Sequence, residues 1–265
     1  MPDQRSIDVQ VPHDAPMPSA NDASAADAPV YADAFDQNLN HELLRLLEDT
    51  ALSPVRADFH AVTMRAISDG FAAEDLIDDY IPAVARKLGN RWCEDTLGFA
   101  QVTIGVSRLQ AMLRKIGEGW TNDSDLRPSA PSIMLIVQQD IYHTLGAMVL
   151  NSQLRRMGLS VRLMLGECAE ELARQLNRTN FSAVFISSSC GETLHSLSRT
   201  VDVVKTSTLR APPIVIGGTI LDVETTENVT TLTGADYATK ILGEALELCG
   251  LAKTPLGQLQ SMREL

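Results

Sequence analysis

Positive charge is what this chain has least of: 22 Lys and Arg stand against 34 Asp and Glu, a formal net charge of −12 across 265 residues. Neutralising nucleic-acid phosphates needs clustered cations, so strong binding of DNA or RNA by this chain alone is not expected. Long hydrophobic runs are also missing. None approaches the roughly 18 to 20 apolar residues that cross a bilayer, and the N-terminus lacks the basic-then-apolar order of a secretory signal, which predicts a cytoplasmic protein without membrane contact. Cysteine is sparse: Cys93, Cys168, Cys190 and Cys249 lie far apart with no CxxC pair. That spacing argues against a zinc site or a disulfide framework and predicts reduced, mostly buried thiols. What remains is ordinary globular material, with 45% hydrophobic residues and a length suited to about two domains.

The chain divides by pattern. Residues 1–35 are rich in Asp, Ala, Pro and Ser with almost nothing large to bury, and read as a disordered tail. From 36 to 118 the apolar spacing is helical. Leu39, Leu43, Leu44, Leu46 and Leu47 form one stripe; Phe59, Val62, Ile67 and Phe71 form a second. Leu76, Ile77, Ile81, Val84 and Leu88 form a third, and the run from Phe99 to Ile116 a fourth. Four amphipathic helices predict an antiparallel four-helix bundle, with Pro82 kinking the third or marking its first turn. Residues 119–131 read as a linker. Beyond it, over 132–251, short apolar runs alternate with helical ones, the signature of an α/β fold with a parallel sheet. The expected strands are Ile133–Val137, Ser160–Leu163, Ala183–Ser187, Ile214–Ile216 and a weaker one around Val229–Leu232. Helices are expected near Leu145–Met157, Ala169–Arg178, Leu194–Thr206 and Tyr237–Leu248. This predicts a flavodoxin-like (Rossmann-type) five-stranded sheet, followed by a C-terminal tail over 252–265.

Ligands of such sheets bind beyond the carboxyl ends of the strands, where strand order reverses. Three strand ends carry unusual residues. The first strand runs into Asp140-Ile141-Tyr142-His143-Thr144-Leu145-Gly146, where His143 can project an imidazole nitrogen from the sheet edge and Gly146 lets the next helix approach closely. The third ends in Ser187-Ser188-Ser189-Cys190-Gly191, whose small hydroxyl residues open a channel between strands. The fourth ends in Gly217-Gly218-Thr219, where backbone can approach a bulky ligand. Each feature alone fits an ordinary turn or helix cap; their order and separation set them apart. Forty residues (147 to 186) part Gly146 from Ser187, and twenty-seven (190 to 216) part Ser189 from Gly217.

In this order and spacing the chain resembles the cobalamin-binding domain family, whose pattern is Asp-x-His-x-x-Gly, Ser-x-Leu and Gly-Gly at similar separations. The resemblance implies a cobalamin with its lower base displaced and His143 as axial ligand to cobalt. It further implies a nucleotide tail threaded into the sheet past Ser187, Ser189, Gly217 and Gly218, with Asp140, Tyr142, Gly146 and Thr219 as further cofactor-binding residues. Two positions depart from the pattern. Asp140 precedes His143 by three residues rather than two, and losing such a carboxylate partner costs roughly 10 to 100-fold in metal affinity, which predicts weaker or state-dependent binding. Ser189 stands where the family has Leu, removing an apolar contact to the tail.

The helical region resembles the cap that precedes the corrinoid domain in methyltransferases and light-sensing cobalamin regulators. Leu88-Gly89-Asn90-Arg91-Trp92 matches their Leu-Gly-x-x-Trp, which implies that Trp92 covers the upper face of the corrin; the alternative is a core aromatic at a helix end. The Glu-His pair that follows this Trp in tetrameric light-dependent repressors is absent from Gly98-Phe99-Ala100-Gln101-Val102-Thr103, and residues 1–35 hold no helix-turn-helix. A corrinoid protein of a methyltransferase system remains one reading. The other, which the combined pattern resembles most, is the AerR/PpaA group of antirepressors. The implied function is then a non-enzymatic, light- or redox-responsive regulator, holding hydroxocobalamin or adenosylcobalamin and acting on a PpsR/CrtJ-type repressor of photosynthesis genes. Some members of that group are also linked to haem, a lesser cofactor expectation here.

Overall fold

The computed structural model describes residues 39–53, 59–120, 130–138 and 144–251. Helix α1 (His41–Leu52) starts where the Asn40 side chain accepts the Leu43 N–H at 3.0 Å, and it buries Leu43, Leu44, Leu47 and Ala51; Leu46, expected in the same stripe, lies largely outside. Helix α2 (Phe59–Ser68) follows. The third stripe is one helical stretch in three pieces: α3 (Ala73–Asp75), a π-turn at Leu76–Tyr80 and α4 (Ile81–Cys93). Pro82 explains the wide turn. It has no N–H to offer and its ring crowds the carbonyl four residues back, so the ladder opens and the Ile81 N–H reaches the Leu76 oxygen instead. Helix α5 (Phe99–Ile116) completes the bundle. Glu48 of α1 is nearly buried and accepts from Lys87 at 2.8 Å and Arg91 at 2.7 Å on α4; burial alone would raise its pKa, but the two cations hold it below the ordinary carboxylate value.

The second half is an all-parallel sheet of β1 (Ser132–Val137), β2 (Ser160–Leu165), β3 (Ala183–Ser188), β4 (Ile214–Gly218) and β5 (Tyr237–Ala238), in the order β2-β1-β3-β4-β5. Between and after the strands come α6 (Leu145–Arg156), α7 (Ala169–Arg178), α8 (Leu194–Thr206), α9 (Thr226–Thr233) and α10 (Leu242–Leu248). Alternation along the strands sorts the helices. Ile133, Leu135, Val137, Phe185 and Val215 face α6 and α10, while Met134, Ile136, Val184, Ile186 and Ile216 face α7, α8 and α9. The order reverses between β1 and β3, the switch point of a flavodoxin-like sheet.

Two expectations are corrected. The segment Val229–Leu232 is not a strand. It lies inside α9, which starts with the Thr225 hydroxyl accepting the Asn228 N–H at 3.2 Å and ends at Gly234 with φ 76°; these end signals override a β-branched composition. The fifth strand is instead Tyr237–Ala238, so α10 begins at Leu242 rather than Tyr237. The thiols also differ from expectation: Cys93, Cys168 and Cys190 are exposed, at a helix end, a helix cap and a loop, and only Cys249 is half-buried, which pushes its pKa up to about 11.

The bundle and the sheet meet along α6. Leu145 and Val149 belong to the bundle's core, Gln110 on α5 donates to the Thr144 hydroxyl at 3.0 Å, and Arg156 Nη2 donates to both Asp78 carboxylate oxygens at 2.7 and 2.5 Å. Asp78→Ala would leave the guanidinium, only 14% exposed, without that carboxylate. Breaking such a pair typically costs about 3 kcal/mol. The expected outcome is a lowered urea midpoint, with Asp78→Asn, which keeps an acceptor, losing clearly less.

Candidate functional site

Side chains shrink toward the carboxyl ends of β3 and β4 on the face shared with α6 and α10. Phe185 and Val215 are buried core residues; two positions further along the same face stand Ser187 and Gly217, paired across the ladder. Losing bulk at both positions opens a cleft of about 220 Å³ between the strand ends and the two helices. Gly146, Leu150 and Gln153 of α6 form one wall; Ile241, Leu242 and Ala245 at the start of α10 form the other. Ser187, Gly217, Gly218, Thr239 and Lys240 surround the mouth and floor. A cavity of about 150 Å³ lined by apolar groups holds benzene, so this cleft has room for a larger aromatic base.

Its two glycine sites serve different ends. Gly218 has φ 107° and ψ −167°, and a Cβ there would stand 2.2 Å from the Ser188 carbonyl oxygen. Gly217 would set a Cβ 2.8 Å from the Thr239 carbonyl oxygen. The pair therefore lets β3, β4 and β5 close up against one another, and does not only admit a ligand. Gly146 behaves oppositely: among the described residues nothing lies within 4 Å of its Cβ position, so there it borders the cleft rather than letting a helix pack closely, as its sequence context implied.

The remaining candidates separate. His143, Asp140 and Tyr142 lie outside the described residues, although Thr144, the next position, is held to α5. Ser188, between the two expected serines, is buried and donates to the Gly217 carbonyl at 3.2 Å. Ser189 and Thr219 do not line the cleft. Ser189 offers its N–H to Glu192 Oε1 at 2.6 Å, and the Thr219 hydroxyl accepts the Cys190 N–H at 3.0 Å, so both brace the loop after β3. Trp92 is 45% exposed and packs at a tilt of 58° against Phe99, centroids 6.3 Å apart and Phe99 itself 71% exposed, which excludes the core-aromatic alternative; neither ring lines the cleft.

Sequence reasoning missed the α10 wall, because the strand before it had been placed too early, and it missed Glu192. That residue is 8% exposed, and burial raises its pKa despite the Ser189 N–H. A capping pattern from Ser189 to Glu192 was its available signal. No helix among the described residues is long and apolar enough to cross a membrane.

The fold and cleft have counterparts. Residues 131–248 match the family model described as the B12 binding domain. The chain is 34% identical over 169 residues to an "uncharacterized 20.5 kDa protein in bchF-crtJ intergenic region" of Rhodobacter capsulatus, a match covering 64% of this chain and 87% of that protein. Among solved structures it is similar to the monomethylamine corrinoid protein of Methanosarcina barkeri, at 15% identity and a TM-score of 0.59, over 80% of this chain and 99% of that one. This last likeness is one of fold.

Proposed function

Since the chain belongs to the B12-binding domain family and is a cobalamin-binding protein, we propose that it is a light- or redox-responsive antirepressor that signals by binding a PpsR/CrtJ-type repressor of photosynthesis genes. The cleft fits the group. It lies beyond the carboxyl ends of β3 and β4, has the volume for a bicyclic base, and presents at Gly146 a wall position where a side chain would stand in the ligand's place. In this reading His143 would supply an imidazole ligand to cobalt, Leu150, Phe185 and Leu242 would enclose the base, and Ser187 would offer it a hydroxyl. The bound corrinoid, as hydroxocobalamin or adenosylcobalamin, supplies an exchangeable and, when alkylated, light-labile upper ligand.

The observation that carries the signalling role is the double duty of α6. Its stripe of Gly146, Leu150 and Gln153 walls the cleft, while Leu145, Val149 and Arg156 belong to the contact with the bundle. Anything that shifts α6 to accommodate a tail also shifts the surface on which the bundle rests, which gives two ligand states different affinities for two bundle positions. The exposed Trp92–Phe99 pair is then apolar surface, available to a bulky upper ligand in one state and to a protein partner in the other. The relative lying between bchF and crtJ supports a partner of the CrtJ type, and the net charge of −12 suits electrostatic steering toward a basic surface.

The test is direct. Purified protein mixed with hydroxocobalamin should show the visible spectrum of a histidine-ligated corrinoid, and His143→Ala should lose it. Capture of the purified repressor should then depend on whether hydroxocobalamin or adenosylcobalamin is supplied. Repressor capture indifferent to both, together with turnover of methyl groups on bound cob(I)alamin, would replace this reading with that of a corrinoid protein in a methyltransferase system.

A further inference from the structure

Among the described residues lining the cleft, one carries a charge. Lys240 stands at the mouth, in the turn between β5 and α10, and its ammonium is paired with Asp222 on the 3₁₀ turn that follows Gly217-Gly218. The turn is fixed in place. Thr239 N–H donates to the Ile216 carbonyl at 3.1 Å, its hydroxyl donates to Glu244 at 2.5 Å, and the same oxygen accepts the Ile241 N–H at 3.0 Å. The Lys240 side chain is 45% exposed, so its charge sits at the rim in water while the walls behind it are Leu150, Phe185, Val215 and Leu242. A ligand complementary to that arrangement has an apolar ring to bury and an anionic group just outside it. In a chain with 34 acidic and 22 basic residues, a cation at the entrance also has to offset the general repulsion of anions.

We propose that Lys240 is a specificity-determining residue, which selects corrinoids whose nucleotide tail carries a phosphodiester over those that lack the tail. The inference rests on the corrinoid reading above and adds to it a recognition residue. Asp222 keeps the ammonium over the mouth while the cleft is empty. Because both partners are partly exposed, the pair is weak enough for an incoming phosphodiester to replace it. A hydrogen bond from an ammonium to a phosphate oxygen is charge-assisted, and its removal is expected to cost about 10-fold or more in affinity.

The experiment titrates the full chain with two ligands, hydroxocobalamin and aquacobinamide, the same corrin without the nucleotide, following the visible spectrum. The wild type should prefer hydroxocobalamin. Lys240→Met should weaken hydroxocobalamin by about 10-fold and leave aquacobinamide within a factor of about two, with Lys240→Arg restoring most of the preference. Added salt should erode the wild-type preference and not that of Lys240→Met. Asp222→Asn, which frees the ammonium, should tighten hydroxocobalamin by a factor of about 2 to 5. Equal losses for both corrinoids in Lys240→Met, no loss for either, or weaker hydroxocobalamin binding in Asp222→Asn would overturn the assignment and leave the corrinoid reading standing. A wild type that binds neither ligand would remove the corrinoid reading itself, and this inference with it.

Discussion

Gly218→Ala is expected to be the most destabilising single-methyl change in the described part of the chain. Two costs coincide at this residue. With φ 107° and ψ −167° it occupies a backbone region used almost only by glycine, where another residue is strained by roughly 1 to 3 kcal/mol. Its new Cβ would also lie 2.2 Å from the Ser188 carbonyl oxygen and 3.1 Å from the Ser188 nitrogen. Those are backbone atoms of the neighbouring strand, in register with Gly218 itself, and cannot rotate away as a side-chain tip would. Relief requires β3 and β4 to part at the point where the Ser188 hydroxyl donates to Gly217. The summed loss should be at least about 3 kcal/mol, which in a chain of this size lowers the thermal midpoint by roughly 6 to 12 °C. Gly217→Ala should cost less. Its Cβ meets one carbonyl oxygen, that of Thr239 just beyond a two-residue edge strand, which can shift. Circular dichroism melts of both variants check the order; a Gly218→Ala protein melting with the wild type would refute the backbone role of this glycine.

These numbers also explain what could be read from the residues alone. Paired glycines after an Ile-Val-Ile strand mark a backbone constraint unmistakably, but not whose approach they permit, because that depends on Ser188 and Thr239, which are 30 and 21 residues away along the chain from Gly218. The strands β1, β3 and β4 were legible because their runs Ile133–Val137, Ala183–Ile186 and Ile214–Ile216 are buried and apolar without a break. β5 was not: two half-buried residues, Tyr237 and Ala238, give no period to detect, and the β-branched run in α9 offered a false one. That misplacement hid the α10 wall and Lys240 with it. The Ser187 and Gly217 floor was legible because a run of large residues ending in small ones at two adjacent strand ends has one spatial consequence, a gap on the shared face. Docking of the bundle on α6 was not legible. The sequence predicts a helix near Leu145–Met157 and assigns no face to Leu145 or Val149; only the fold shows that this helix has separate faces for the sheet, the cleft and the bundle.

Gly146→Leu should give the opposite result to Gly218→Ala: an intact fold with its cleft closed. Gly146 is the second residue of α6, where any good helix former is more favourable than glycine by up to about 1 kcal/mol, and no atom of the described residues stands within 4 Å of a Cβ built there. A leucine there starts without a clash at its Cβ and extends from the α6 wall into the cleft. An aromatic base shut out of it forfeits its apolar burial. Even 100 Å² of that contact is worth about 2.5 kcal/mol, so hydroxocobalamin affinity should fall by about 60-fold while the melting temperature stays level or rises. Gly146→Ala divides the effect: it should show the same gain in stability with a much smaller loss of binding, since one methyl narrows the cleft without filling it. If Gly146→Leu instead unfolds like Gly218→Ala, the position serves backbone packing. If it binds as tightly as the wild type, the tail lies elsewhere. A stable protein that no longer holds the vitamin would place the base against the α6 wall, the surface through which the bundle is proposed to register it.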